Sequence, residues 1–276
     1  MIANGLAGVT PAADATLPGS RGERLLQYAY GTEQRAARFY ADQVRDRLLP
    51  DMIDFVARME LVFVASSDAG GECDASLRSG PPGFIQVLDD GHLAYPEYRG
   101  NGVHASLGNI SENPHVGLLM VDFVRDLIGL HVNGRARVVD DAELRALHPA
   151  LPADGAPGRR AERWVVIAVD EAYVHCRKHI PRMARVAERR EWGTDDPARK
   201  GGDYFGARAE RLAREGAAAE AGAPVLPMAR QRPRPPFPST VHLPAGSSTA
   251  RPLRPVSRSR QSPTRRARRR IRWLSS

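Results

Sequence analysis

The segments that decide the fold are CDASLRSGPPGFIQVLDD (residues 73–90), YPEYRGNG (95–102), SLGNISENP (106–114) and LHVNGRARV (130–138). They lie within residues 60–139, where short apolar runs alternate with turns rich in Gly, Asn, Asp and Arg. Short strands separated by such turns are typical of a small β-barrel or sandwich. The pattern predicts a small barrel that holds an anionic ligand at its loops.

Working outward from these segments, apolar runs bounded by turn residues predict six or so strands. The clearest is 128–138, where the even positions are apolar or small and the odd positions are mostly polar. That period of two indicates one buried face and one wet face. The other predicted strands are 61–65, 84–88, 93–95, 116–123, and 163–169 continuing into 173–176.

Helices are predicted in front of the barrel and inside it. Apolar residues spaced by three or four predict an amphipathic helix over 32–49, with Thr32 as its cap and Pro50 as its stop. A second short helix is predicted over 52–59 and a third over 142–147. The fold class is therefore mainly β, a barrel with flanking helices.

The charge is very uneven along the chain. Residues 207–276 carry 16 arginines and 3 acidic residues, a charge of +13, and the whole chain is +8, which leaves 1–206 at −5. The basic segment is rich in Pro and Ser and lacks apolar periodicity, so it cannot bury a core. The sequence predicts disordered residues 1–22, a folded domain over 23–206, and a disordered tail over 207–276 with a possible helical stub at 207–221.

The tail and the two cysteines suggest little about specific partners. Such a tail favours nonspecific contact with polyanions, and its only aromatic residues, Phe237 and Trp273, are too few to read a nucleic-acid sequence by stacking. Cys73 and Cys176 are too few for a disulfide framework. The start of the chain lacks the basic and apolar pattern of a secretory signal, and no apolar run is long enough for a membrane span. A soluble cytoplasmic protein is expected.

The turn YPEYRGNG is the first candidate binding site. Gly100 and Gly102 allow close approach of backbone N–H groups to a phosphate, and Arg99, Asn101 and Ser106 add a cation and neutral donors. Ser106 is expected near the start of a short helix, whose dipole favours an anion. The alternative is a plain hairpin loop with an exposed arginine.

Two further segments are candidates. Ser76 and Arg78 precede a rigid Gly-Pro-Pro-Gly turn, which would hold the guanidinium for a phosphate or carboxylate; the alternative is a surface arginine. In VHCRKHIP (174–181) the spacing of histidine and cysteine suggests a metal, but four ligands are lacking and no metal is expected. That segment is instead predicted at the mouth of a pocket, with Lys178 or His179 facing an anion.

Taken in order, the four segments, VDF (121–123) and RWVVIAVDEAYVHC (163–176) resemble the pyridoxamine 5'-phosphate oxidase-like family of FMN-binding split barrels. The resemblance covers about residues 31–205. It implies a six-stranded split barrel, a homodimer with two FMN sites at the subunit interface, and flavin-dependent oxidoreductase activity on a small molecule. The 131–133 strand is implied to border the flavin ring, often from the partner subunit. The implied FMN-binding residues are Ser76, Arg78, Gln86, Val87, Tyr95, Pro96, Glu97, Arg99, Gly100, Asn101, Ser106 and Asp122, with Phe84 beside the ring.

The sequence also departs from the family. Authentic pyridoxamine phosphate oxidases have an Arg-Lys pair in the phosphate turn, whereas this turn has Arg-Gly-Asn (99–101). The arginine-rich end does not resemble their ordered, substrate-gripping end. These departures argue against pyridoxal phosphate synthesis. A deazaflavin- or haem-binding barrel, a non-catalytic flavin-binding or stress-related protein, and a nucleic-acid-associated factor remain as alternatives.

Overall fold

A computed structural model of the chain describes residues 18–153, 158–186, 193–194, 196 and 199–220. Within these residues the chain forms an antiparallel sheet with flanking helices. The helices are α1 (Arg21–Tyr30), α2 (Glu33–Gln43), α3 (Pro50–Ala57), α4 (Ala105–Glu112), α5 (Asp141–Leu147) and α6 (Ala207–Glu220), with a 3-10 turn at Arg177–His179. The strands are β1 (Leu61–Ser67), β2 (Cys73–Ser79), β3 (Gln86–Asp89), β4 (His92–Glu97), β5 (His115–Asp122), β6 (Ile128–Asp140) and β7 (Arg163–His175).

The strands are ordered β2-β1-β5-β6-β7-β4-β3, and every neighbouring pair is antiparallel. The two edge strands, β2 and β3, are not paired with each other, so the barrel is open beside β2, and we call this open side the split. The predicted mainly β split barrel is confirmed. Its interior holds the main apolar core, which includes Val64, Leu93, Leu118, Val132 and Ile167.

The sheet has seven strands, compared with the six or so that were predicted. Periodicity missed β2, whose sequence CDASLRS contains no apolar run. The polar residues of β2, Asp74, Ser76 and Arg78, face inward. They do so because their β1 partners Ser66, Val64 and Val62 are buried. A strand that lines a polar cavity gives no signal to a rule based on apolar faces.

Strand β6 also departs from its predicted alternation near its end. Val138 is 37% exposed, whereas Val139 is 2% exposed. Val139 belongs to a second apolar cluster outside the barrel, where α5 contributes Leu144 and β7 contributes Trp164 and Val166. Because α5 covers the outer face of β6 at this end, the residue on that face is apolar.

The helix predicted over 32–49 ends at Gln43, and Pro50 begins α3 instead of stopping a helix. Between them the chain turns onto the barrel: Arg45 exchanges both backbone hydrogen bonds with Ala172, and the Leu48 side chain is buried in the core. Pairing with β7 and burial of Leu48 outweigh the helical periodicity.

Helix α1 was not predicted, because the expected disordered segment was extended to residue 22. Ser20 and Glu23 form a reciprocal capping box at its start. At its end, Gly31 adopts the left-handed conformation, with φ of 61°. Residues 1–17 and 221–276, where disorder was predicted, lie outside the described residues. Helix α6 occupies the predicted helical stub.

A row of side chains crosses the outer face of the sheet. Leu77 on β2, Phe63 on β1, Leu119 on β5, His131 on β6 and Tyr173 on β7 are successive cross-strand partners. We call these five residues the outer row. Leu77 is 53% exposed and Phe63 is 44% exposed, which is unusual for large apolar side chains placed side by side.

At one end of the outer row, His131 is held by two rings. It stacks on Tyr173 at 4.7 Å between ring centroids, and its Nε2 lies 3.0 Å from Nδ1 of His175. Burial and the neighbouring His175 lower the pKa of His131 below its ordinary value of 6.5. The folded protein therefore favours the neutral imidazole.

Among the described residues, no helix is long and apolar enough to cross a membrane.

We expect Gly134→Ala to destabilise the fold by about 1–3 kcal/mol, the range typical of overpacking. A Cβ at Gly134 would collide with the carbonyl oxygen of Ala168 on β7 and approach Ile167 Cγ2 at 3.0 Å. The matched control is Gly108→Ala in α4, where a Cβ meets nothing within 4 Å and the better helix former is expected to stabilise. Urea unfolding of both variants measures the difference; equal stabilities would contradict the packing at Gly134.

We expect His131→Gln to flatten the pH dependence of stability between pH 7 and 5.5. The lowered pKa means that the unfolded chain binds a proton more readily than the folded one, so stability is lost as pH falls below 6.5. Because glutamine does not titrate, the variant lacks this proton uptake, which amounts to less than about one proton per molecule. Unfolding free energies at several pH values, with His115→Gln as the exposed control, test this; a slope unchanged by His131→Gln would refute it.

Candidate functional site

A cavity of about 490 Å³ opens at the split of the barrel. One wall is the inward face of β2, another is the end of β4, and the loop and helix that follow β4 close the third side. Most of its lining is polar or glycine. The residues that line it are Asp74, Ser76, Leu77, Arg78, Ser79, Glu97, Tyr98, Arg99, Gly100, Asn101, Gly102, Val103, His104, Ala105, Ser106, Leu107, Gly158 and Gly193.

A chain of three hydrogen-bonded side chains joins β2 to α4 across this cavity. The Ser106 hydroxyl donates to Asp74 Oδ2 at 3.0 Å. The Ser76 and Ser106 oxygens are 2.9 Å apart. Because a hydroxyl has only one proton, Ser76 must be the donor to Ser106 when Ser106 donates to Asp74. Both hydroxyl protons are therefore engaged within the protein.

An ion pair forms the second link across the split. Arg78 Nε on β2 lies 2.7 Å from Glu97 Oε1 at the end of β4, and both side chains are mostly buried. The pair partly neutralises Glu97, so that the carboxylate is less unfavourable to an anionic ligand. Arg78 also donates from Nη1 to the carbonyl of Leu77 at 3.3 Å, which fixes the guanidinium against its own strand.

The turn between β4 and α4 is shaped by its own side chains. The Asn101 side-chain oxygen accepts the N–H of Val103 at 3.0 Å. Gly102 has φ of 80°, and His104, at the cap of α4, has φ of 55°. A left-handed residue other than glycine is uncommon. These two positive φ values bend the chain so that α4 begins at the cavity, with Ser106 in its first turn.

Helix α4 is suited to an anion at this end. The first N–H groups of a helix lack partners within the helix, and its dipole is positive there. The four residues at its start, His104 to Leu107, all line the cavity. The sequence correctly placed Ser106 near a helix start, although the cap residue is His104 and not a serine.

The structure brings seven of the twelve predicted site residues together in this cavity. They are Ser76, Arg78, Glu97, Arg99, Gly100, Asn101 and Ser106. Sequence reasoning missed Asp74, Leu107 and Gly158. The alternation of β2 carries a signal for Asp74, because it is two residues before Ser76 and four before Arg78 and so shares their face.

The other five predicted residues lie outside this cavity. Gln86 donates its side-chain N–H to the Gly83 carbonyl, and its neighbour Val87 packs against the core. Tyr95 is 1% exposed inside the barrel, and burial raises the pKa of its phenol. Pro96 lines a separate small cavity beside Trp164. Asp122 accepts hydrogen bonds from the backbone N–H groups of residues 124, 125 and 126.

The segment VHCRKHIP does not line the cavity at the split. His175 ends β7 beside His131, while Lys178 and His179 lie in the 3-10 turn. Cys73 and Cys176 are both exposed free thiols. Within the described part of the chain, no group of three or more His, Cys, Asp or Glu residues is arranged to hold a metal ion.

Solved structures similar to this chain share low identity with it. The group A Streptococcus protein HupZ is 20% identical, with coverage of 50% of this chain and 99% of its own, at a TM-score of 0.33. An F420 reductase is 19% identical, covering 44% and 94% at 0.30. The FAD binding protein from Mycobacterium smegmatis is 16% identical, covering 48% and 97% at 0.31. At these values the likenesses carry no argument about function.

No curated protein matches the chain. The family model described as pyridoxamine 5'-phosphate oxidase matches residues 48–176. The match begins just before α3 and ends just after β7, so it contains all seven strands. It also contains every residue that lines the cavity at the split except Gly193. Residues 48–176, which form the barrel, are therefore similar to the pyridoxamine 5'-phosphate oxidase family.

Proposed function

We propose that the protein is an FMN-dependent oxidoreductase acting on a small molecule, with the FMN phosphate bound in the cavity at the split. The observation that carries this proposal is the convergence of Ser76, Arg78, Arg99 and Ser106 with the start of α4 on one cavity. The match of the barrel to the pyridoxamine 5'-phosphate oxidase family model supports a flavin as the ligand. FMN would supply the hydride chemistry, and the protein would position the cofactor and the substrate.

The donors of the cavity fit a phosphate, although not equally. Because the hydroxyl protons of Ser76 and Ser106 are engaged toward Asp74, the donors that do not depend on those protons are the N–H groups at the start of α4 and the guanidinium groups. Arg78 is already paired with Glu97. We assign the charged contacts to Arg78 and Arg99, which both line the cavity, and the main neutral contacts to the α4 backbone.

The carboxylates of the cavity hold other side chains in place. Asp74 accepts from Ser106, and Glu97 accepts from Arg78, so each acid fixes a potential donor. Both carboxylates therefore position donors in the cavity wall, and neither is proposed as an acid or a base.

An absorbance spectrum of the purified protein distinguishes the proposed cofactor from the alternatives. Bound oxidised flavin is expected to give bands at about 370 and 450 nm. A Soret band would indicate haem, and a single band shifted to shorter wavelength than the 450 nm region would indicate a deazaflavin.

We propose a homodimer that buries the outer row. Leu77 and Phe63 form an exposed apolar pair on neighbouring strands, next to Leu119. Apolar side chains grouped in this way mark interaction surfaces. A second copy with the same surface fits such a patch through two-fold symmetry. Leu77 also lines the cavity at the split, so the same interface would bring the partner next to the proposed FMN.

We expect Arg99→Ala with Asn101→Ala to weaken FMN binding by at least about tenfold, because a charged hydrogen bond contributes roughly 1.5–3 kcal/mol. Asn101→Ala also removes the acceptor that shapes the turn at Val103. Fluorescence titration of the apo-protein with FMN measures the change. The matched control is Arg47→Ala, an exposed arginine that pairs only with its neighbour Asp46. Unchanged affinity in a folded double variant would place the phosphate elsewhere.

We expect Phe63→Glu with Leu77→Glu to convert the dimer to a monomer, because four carboxylates would face one another across the two-fold interface. Light scattering of the purified variant gives the mass. Leu147→Glu is the control, since Leu147 is 63% exposed on α5 and outside the outer row. A wild-type protein that is monomeric with FMN bound would refute the shared interface.

A further inference from the structure

A second cavity, of about 510 Å³, lies between helices α1 and α2 and the outer face of the sheet. Its walls include Glu23, Phe39 and Tyr40 from the helices and Asn133, Glu171 and Tyr173 from strands β6 and β7. We call it the helix cavity. None of the described residues that line it also lines the cavity at the split. Tyr173 is the one member of the outer row in its wall, so the proposed dimer interface and the helix cavity share a single residue.

Two backbone features hold the helices and the strands of this cavity together. The register of β6 and β7 shifts just after Asn133, whose partner is Glu171. Such a bulge redirects side chains and is common next to binding sites. Arg45, which follows α2, exchanges both backbone hydrogen bonds with Ala172. The bulge and this bridge fix the end of α2 beside the strand segment that carries Glu171.

Three aromatic rings form a corner of the helix cavity. Phe39 meets Tyr173 with 5.9 Å between ring centroids and 79° between ring planes, and it meets Tyr40 at 6.4 Å and 68°. His131 stacks on Tyr173 and holds that ring in place. Rings at nearly right angles form walls instead of a flat stack, as in the aromatic cages that bind quaternary ammonium groups.

Two carboxylates accompany the rings. Glu23 accepts the Ser20 N–H at 3.1 Å and the Tyr40 hydroxyl at 2.7 Å, and these hydrogen bonds lower the pKa of Glu23, so it stays ionised. Glu171 accepts the Asn133 side-chain N–H at 3.3 Å through Oε2. Within the part of the chain that the structure describes, this is the only hydrogen bond of the Glu171 carboxylate, which leaves its other oxygen for a ligand cation.

The wall of the helix cavity carries a negative charge. Glu23 and Glu171 contribute two negative charges, and Arg35, an exposed residue of α2, contributes one positive charge. His131, next to Tyr173, favours the neutral imidazole because burial and His175 lower its pKa. A carboxylate beside aromatic faces attracts a cation and repels an anion such as a phosphate.

We propose that the helix cavity binds a small alkylammonium ion, with its charged nitrogen between the aromatic corner and Glu171. Both the ring faces and the carboxylate favour a positive charge at that position. The volume is within the range of ordinary small-molecule sites, so the ion can carry a body larger than its ammonium group. This site is separate from the proposed flavin site and does not depend on it.

The test uses choline as the cation and 3,3-dimethylbutan-1-ol as its neutral counterpart of the same shape. Amide NMR shifts of the isotope-labelled full chain are followed as each compound is added, with sodium chloride matching the ionic strength. We expect choline to shift the amides of Phe39, Asn133, Glu171 and Tyr173, and to bind at least about fivefold more tightly than the alcohol.

Two variants separate the charge from the rings. We expect Glu171→Gln and Phe39→Leu each to raise the dissociation constant for choline at least about threefold. Glutamine can still accept the Asn133 hydrogen bond, and leucine keeps the site apolar. The controls are Glu33→Gln, the same charge change on α2 outside the cavity, and Tyr30→Leu, the loss of an exposed ring at the end of α1. The amide spectra also report that each variant is folded.

The other outcomes overturn the inference. Equal affinity for choline and the alcohol would make the helix cavity a neutral apolar site. Choline shifts confined to other parts of the chain, or no shifts, would show that the cavity does not hold the cation. Losses of affinity no larger in Glu171→Gln and Phe39→Leu than in their controls would remove these two side chains from the site. The proposed flavin binding stands or fails separately, by the FMN titration.

Discussion

Polar side-chain contacts, and not backbone pairing, connect the edge strand β2 to the elements on the open side of the barrel. Asp74 and Ser76 are joined to Ser106 of α4, and Arg78 is joined to Glu97 of β4. An edge strand without a second neighbour would otherwise leave a polar face in an apolar interior, which is costly. The same side chains that satisfy this constraint also line the cavity, so one set of contacts both closes the split and forms the candidate binding site.

This constraint explains which parts of the fold were predictable. Strands such as β1, β5 and β7 contain apolar runs, because they lie inside the sheet, and the apolar pattern identifies them. Strand β2 was missed as a strand because its inward residues serve the cavity. The early end of α2 was missed because Arg45 pairs with Ala172, more than 120 positions away in sequence. Local patterns contain no information on such a contact.

The candidate site was predictable to the extent that its residues are close in sequence. The turn from Arg99 to Ser106 carries its glycines, cation and hydroxyl within eight residues, so sequence alone identified it. The link of Ser106 to Asp74 brings together two segments that are 32 positions apart in sequence. Helix α6 occupies the helical stub that was predicted at the start of the 207–276 segment, and its Arg208 lines a cavity together with Arg99.

The central claim is that an anionic flavin occupies the cavity at the split. Backbone amide NMR shifts of isotope-labelled protein, followed as FMN is added, test this most directly. We predict that the largest shifts occur at Gly100, Gly102, Ser106 and Leu107, where the turn meets α4. Saturating shifts confined to other parts of the chain, with these four amides unmoved, would contradict the account.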